Sequence, residues 1–271
     1  MLFIYRTLQI ILSPLVLAFV IFRLFAGKED KYRIKERFGF ATLKRDFSKK
    51  LIWVHCASVG ESLSVLPMIK DILDGNNDTQ VLVTTGTVTS ASLMTKKLPK
   101  GAFHQYVPID YHSFVKRFIN YWKPDLSIFT ESELWINLIN VAPNKILINA
   151  RMSDRSFKRY RKYHKFAEFL LNKFDCIFTQ SDQDFDRFSE LTDAKVLNAG
   201  NIKYDGPALA FKNNDSKILK EVLIDKKILV AASTHDGEEK VILNMYKNLK
   251  KEVNDLFLIL VMSNSLVFFE S

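Results

Sequence analysis

The stretch LIWVHCASVGE, residues 51–61, decides the fold. Leu51, Ile52, Trp53 and Val54 make an apolar run of the length of a buried strand. Ala57, Ser58, Val59 and Gly60 form a small-residue loop, and a helix opens at Glu61. A carboxylate in the first turn sits beside the positive end of a helix dipole, which favours its charged form. At the carboxyl edge of a parallel sheet, where α/β folds bind ligands, such a group is placed to take a proton from a bound hydroxyl. On the residues alone a second role stays open, in which Glu61 only complements the dipole.

The same alternation continues outward. QVLVTT (80–85), Phe103 to Val107, LSIFT (126–130), KILINA (145–150), CIFTQS (176–181) and VLNAG (196–200) are strand-like. Amphipathic segments separate them, with helices expected over about 61–73, 90–97 and 111–122 and across the basic region before Cys176. Strands spaced by helical segments imply βαβ units and a parallel sheet. One doubly wound domain is expected over roughly 40–205, followed by a polar linker at Asn213-Asn214-Asp215-Ser216. A second βα unit then begins with KILVAAST (227–234), a helix from about Gly237 to Val253 and LFLILVM (256–262). Two strands and one helix do not cover both faces of a parallel sheet, so this second domain is expected to be incomplete.

The N-terminus differs in kind. TLQIILSPLVLAFVIF, between Arg6 and Arg23, holds sixteen residues without a charge, with basic residues dense just after it. An uncleaved membrane anchor or in-plane membrane helix is expected over 1–26, with the flanking arginines snorkelling to the interface and the rest of the chain on the cytoplasmic side. A net charge of +9 in 271 residues implies an anionic partner. Two cysteines, Cys56 and Cys176, make no disulfide framework.

Several clusters could carry chemistry. Glu131 and Glu133 in ESELW follow a strand directly, where an extended stretch puts both carboxylates on one face. Six of the eleven residues from Arg155 to Lys165 are Lys or Arg, a face suited to phosphorylated lipid head groups unless it is simply solvated. Lys203 in GNIKYD could stabilise a phosphate or a developing negative charge, or pair with Asp205. TTGTVTSAS (84–92) matches no phosphate-binding fingerprint. In ASTHDGEE (232–239), Ser233 or Thr234 is expected to cap the following helix. The histidines show no metal spacing, and no nucleic-acid signature is present.

Taken in order, ERFGF (36–40), HCASVGE (55–61), TTGTVTS (84–90), ESELW (131–135), NARMSDRS (149–156), QSDQDFDRF (180–188), GNIKYD (200–205) and ASTHDGEE (232–239) resemble the 3-deoxy-D-manno-octulosonic acid (Kdo) transferase family of lipopolysaccharide synthesis. The resemblance implies an α/β, GT-B-like enzyme of two Rossmann-like domains. It implies an acceptor-binding domain over 27–212, and a nucleotide-sugar-binding domain of which 213–271 is the truncated start. The implied reaction moves Kdo from CMP-Kdo to the lipid A precursor (lipid IVA), with inversion and without cofactor or metal. Its implied setting is the cytoplasmic face of the bacterial inner membrane, among membrane lipids and without nucleic acid.

Glu61 then matches the general base, Glu131 a second essential carboxylate and Lys203 a lysine that stabilises the transition state. Ser58, Gly60, Arg151, Ser153 and Arg155 match acceptor-binding positions. The chain departs from the family at Ile136, where proline is usual, in a shorter 141–150 stretch, and after Val261, where Met262-Ser263-Asn264 stands in place of a Pro-Arg-His segment. Weak donor binding, and an inactive or severely impaired chain, are the expectation. The alternatives are another GT-B nucleotide-sugar enzyme and a non-catalytic module that binds anionic lipid.

Overall fold

The computed structural model describes residues 2–132, 134–205, 220–221, 223–235 and 237–262. It divides into two compact units, Met1–Pro207 and Ala208–Ser271.

In the first unit seven parallel strands form one sheet: β1 (Lys50–His55), β2 (Thr79–Thr85), β3 (Ala102–Tyr106), β4 (Leu126–Thr130), β5 (Lys145–Ala150), β6 (Cys176–Thr179) and β7 (Lys195–Asn198). Their order is β3-β2-β1-β4-β5-β6-β7, so chain direction across the sheet reverses between β1 and β4. Alternate strand residues feed two cores. Leu51, Trp53, Leu82, Phe129 and Leu147 face one side, while Val54, Val81, Val83, Ile128 and Ile148 face the other. The first core is closed by helices α6 (His112–Trp122), α7 (Ile136–Val141), α9 (His164–Leu171) and α10 (Asp182–Leu191). The second is closed by α4 (Leu66–Gly75) and α5 (Val88–Lys97). Covering both faces explains why the strands read as nearly continuous apolar runs. Trp53 anchors the first core, with ring centroids 5.0 Å from Phe118 and 5.3 Å from Phe129.

The structure differs from the expected elements in three places. The helix expected over 61–73 is two helices, α3 (Val59–Ser64) and α4, joined at Val65, because Pro67 belongs in a first helical turn. Helix α7 occupies a stretch not read as helical, and the basic region divides at Tyr163 into α8 (Asp154–Lys162) and α9. The expected linker at 213–216 lies outside the described residues.

Helix α1 (Leu2–Phe25) contains the apolar run and Pro14. It is long and apolar enough to cross a membrane by length and composition. Of its flanking arginines, Arg6 lies 3.5 Å from Asn137 Oδ1 and Arg23 pairs with Glu29 at 2.7 Å. The ERFGF motif joins α1 to the sheet. Helix α2 (Ile34–Arg37) carries Glu36, wholly buried, whose carboxylate takes bonds from Arg33, Thr42 and the Tyr106 backbone N–H. Gly39 lies at φ +81°, and a Cβ there would stand 2.0 Å from the Phe114 carbonyl oxygen.

The second unit contains β8 (Lys227–Thr234), α11 (Glu238–Leu249) and β9 (Leu256–Met262), with β8 and β9 parallel. The expected capping by Ser233 or Thr234 is not what forms. Gly237 is the N-cap residue, and the helix's own acids reach back, Glu238 to the His235 N–H and Glu239 to the Gly237 N–H.

Candidate active site

Glu61 stands in the first turn of α3, immediately beyond β1, and is 5 % exposed. Ser58 is the N-cap: its Oγ accepts from the Glu61 N–H at 3.2 Å and donates to Glu61 Oε1 at 2.7 Å. Oε2 accepts from the Ala57 N–H at 3.0 Å and from Thr130 Oγ1 at 2.6 Å. The carboxylate is therefore fixed in rotamer and direction by donors from its own loop and from the end of β4. Those bonds use one lone pair of Oε1 and both of Oε2, leaving one acceptor position on Oε1.

His55, the last residue of β1, lies next to this carboxylate and is buried at 1 % exposure. Its Nδ1 is 3.0 Å from Thr84 Oγ1, which also accepts from Trp53 Nε1. Burial drives its pKa down to about 4 against a smaller upward pull from Glu61, so the ring is neutral at physiological pH.

Glu131 follows β4 with φ at +52°, the left-handed region that a non-glycine residue enters only under constraint. Its N–H is bonded to the Ile148 carbonyl at 3.0 Å, and its Oε1 accepts from Lys203 Nζ at 2.8 Å. Lys203 thus pairs with Glu131, not with Asp205 as the local sequence allowed. It is carried on a 3-10 turn, Ile202–Asp205, held by two asparagines. Asn149 Oδ1 accepts from the Ile202 N–H at 3.3 Å and Asn201 Oδ1 from the Lys203 N–H at 3.0 Å.

The two carboxylates consequently stand at the carboxyl ends of adjacent strands β1 and β4, with Thr130 bonded to one and preceding the other in sequence. This is the point where strand order reverses, the crevice position for ligands in open α/β sheets.

The other candidates are less closely assembled. Ser58 and Gly60 lie at the start of α3 and Arg151, Ser153 and Arg155 around the start of α8, all exposed. Ser153 caps α8 by accepting from the Ser156 N–H at 3.2 Å, and the Arg151 carbonyl accepts from Ser132, which follows Glu131. Glu133 lies outside the described residues. In TTGTVTS, Thr87 caps α5. Among the described residues no cluster of His, Cys, Asp or Glu has the form of a metal site.

Sequence reasoning missed His55, Thr84, Thr130 and Asn149. Their shared signal is a polar residue at the carboxyl end of an otherwise apolar parallel strand.

The architecture defines the class: an α/β protein of the GT-B-like, Rossmann type. A solved structure from Listeria monocytogenes, assigned as a UDP-N-acetylglucosamine 2-epimerase, superposes with a TM-score of 0.55 over 78 % of this chain and 62 % of that one. At 12 % identity this likeness concerns the fold alone. Residues 32–206 match the family model described as 3-deoxy-D-manno-octulosonic-acid transferase (kdotransferase). The 3-deoxy-D-manno-octulosonic acid transferase of Rickettsia bellii is 42 % identical over 260 residues, 95 % of this chain and 62 % of the relative. The transferase of the same name from Haemophilus influenzae is 31 % identical over 96 % of this chain and 62 % of its own. The chain belongs to the Kdo transferase family, and it spans about three-fifths of the length of these two relatives.

Proposed function

We propose that this chain serves the transfer of Kdo from CMP-Kdo to a lipid A precursor at the cytoplasmic face of a bacterial inner membrane, with residues 27–212 holding the acceptor. The observation that carries the proposal is the site's position. Glu61, with one open acceptor position, and the Glu131–Lys203 pair both follow strands at the sheet's reversal point.

The acceptor hydroxyl attacks the anomeric carbon of Kdo as the bond from that carbon to the phosphate of CMP breaks, inverting the centre. Glu61 Oε1 takes the hydroxyl proton. Lys203 faces the negative charge that grows on the leaving phosphate, and Glu131 aims the lysine. Ser58 and Gly60, with Arg151, Ser153 and Arg155, line the acceptor side. The basic helices after Arg151 suit the two phosphates of the precursor. No step calls on a metal or cofactor, since a carboxylate base and a cation supply the charges the reaction needs.

Labelled bisphosphorylated lipid A precursor, added to the purified chain in mixed micelles, tests the acceptor half of this reading. Binding that weakens at least tenfold in an Arg151→Ala/Arg155→Ala double variant is expected. Equal binding by both proteins, or none by either, would contradict it.

A further inference from the structure

The position of α1 admits an inference that stands whether or not the chain transfers Kdo. Both ends of the helix are bound to the same α/β unit. Near its start, Tyr5 Oη donates to Asp110 at 3.1 Å, and Gln9 both donates to the Asp110 carbonyl and accepts from Asn137 Nδ2 at 2.9 Å. Asp110 in turn receives the backbone N–H groups of Asn137 and Leu138 at the start of α7. Near its end, Arg23 pairs with buried Glu29, which Arg37 also approaches at 3.4 Å. Between these clamps Val16, Phe19 and Val20 share a 330 Å³ cavity with Val107, Ile109 and Leu138.

The covered positions run Tyr5, Gln9, Ser13, Val16, Val20 and Arg23, a stripe at helical spacing along nearly the whole element. Away from the unit, Leu8, Ile11, Leu15, Phe22 and Phe25 form an exposed apolar stripe, each more than half exposed. Tyr5 and Arg23 are separated by eighteen residues, or about 27 Å of helix, close to the thickness of a bilayer's hydrocarbon core. A helix that crossed a bilayer would carry Asp110 and Glu29, together with the backbone between them, to opposite sides of the hydrocarbon, where unpaired polar groups are very costly.

We propose that α1 lies in the plane of the membrane, clamped along the α/β unit, with its Leu8-to-Phe25 stripe sunk into one leaflet and both of its ends on one side. Exposed apolar side chains run along α1 from Leu8 to Phe25 and leave a large patch that water does not tolerate.

The test uses the full chain with a short N-terminal epitope tag, synthesised in the presence of sealed vesicles of phosphatidylethanolamine and phosphatidylglycerol. Vesicle flotation and protease digestion without detergent are then read on the same sample. The expected result is that the protein floats and that tag and α/β unit share one fate, both digested or both protected. A floating protein whose tag and α/β unit have opposite fates would overturn the proposal, because the helix then crosses. A folded protein that does not float would overturn it too, because the bilayer then does not cover the stripe.

Discussion

Glu61 is held by three donors, and each makes a separable contribution. Thr130 reaches it from a neighbouring strand at 2.6 Å, so Thr130→Val leaves a buried carboxylate one bond short. A bond to a charged group is worth about 1.5–3 kcal/mol, and the loss is expected as a lower denaturant midpoint together with slower transfer. Thr130→Ser keeps the hydroxyl and is expected to restore both.

His55 and His104 give a second prediction at this scale. Burial lowers His55 to about 4, and burial with the Arg33 guanidinium lowers His104 to about 3, both from 6.5. Between pH 6.5 and those values the unfolded chain binds protons that the native chain refuses. Stability is therefore complete above about pH 6.5 and falls as pH falls. At pH 5 each histidine is expected to cost about 2 kcal/mol relative to pH 7.5 in urea unfolding. His55→Gln is expected to remove about half of that difference, and an unchanged pH dependence would contradict the assignment.

At the scale of elements, Gly39 decides how the segment before β1 meets α6. Its positive φ and the 2.0 Å approach of a Cβ to the Phe114 carbonyl leave room for glycine alone. Gly39→Ala is expected to cost about 2–4 kcal/mol in thermal or denaturant unfolding. The pairing of β4 with β5 matters in another way: it sets Glu131 and, through Asn149, the turn that bears Lys203. Lys203→Ala is expected to lower transfer more than stability, because the lysine is exposed and its ion pair contributes little to folding.

The strands were legible in the sequence because parallel strands buried on both faces are apolar runs with sharp ends. LSIFT and KILINA agree residue for residue with β4 and β5. Helix ends were less legible. Pro67 marks the start of α4, yet the apolar spacing runs across Val65 without interruption. Of the site, Glu61 could be found from its own loop. Its bond to Thr130 could not, since that depends on β4 lying beside β1, and sequence periodicity carries no information on strand order. The pairing of Lys203 with Glu131, 72 residues apart, was hidden for the same reason.

For the whole molecule, one sheet edge gathers the chemistry and α1 the apolar surface. The first unit places Glu61, Glu131 and Lys203 at the sheet's reversal point, and the same unit carries the clamps that hold α1. The candidate site and the exposed apolar helix are thus carried by the same unit. Glu61 is proposed to remove the acceptor's proton. The most direct test is incorporation of labelled Kdo from CMP-Kdo into a lipid A precursor by membranes containing the full chain or its Glu61→Gln variant, at equal protein and equal acceptor binding. However slow the unsubstituted chain, the account predicts incorporation about 10²–10⁴-fold lower in the variant, the usual contribution of a positioned base. Equal, measurable incorporation by the two proteins would contradict it.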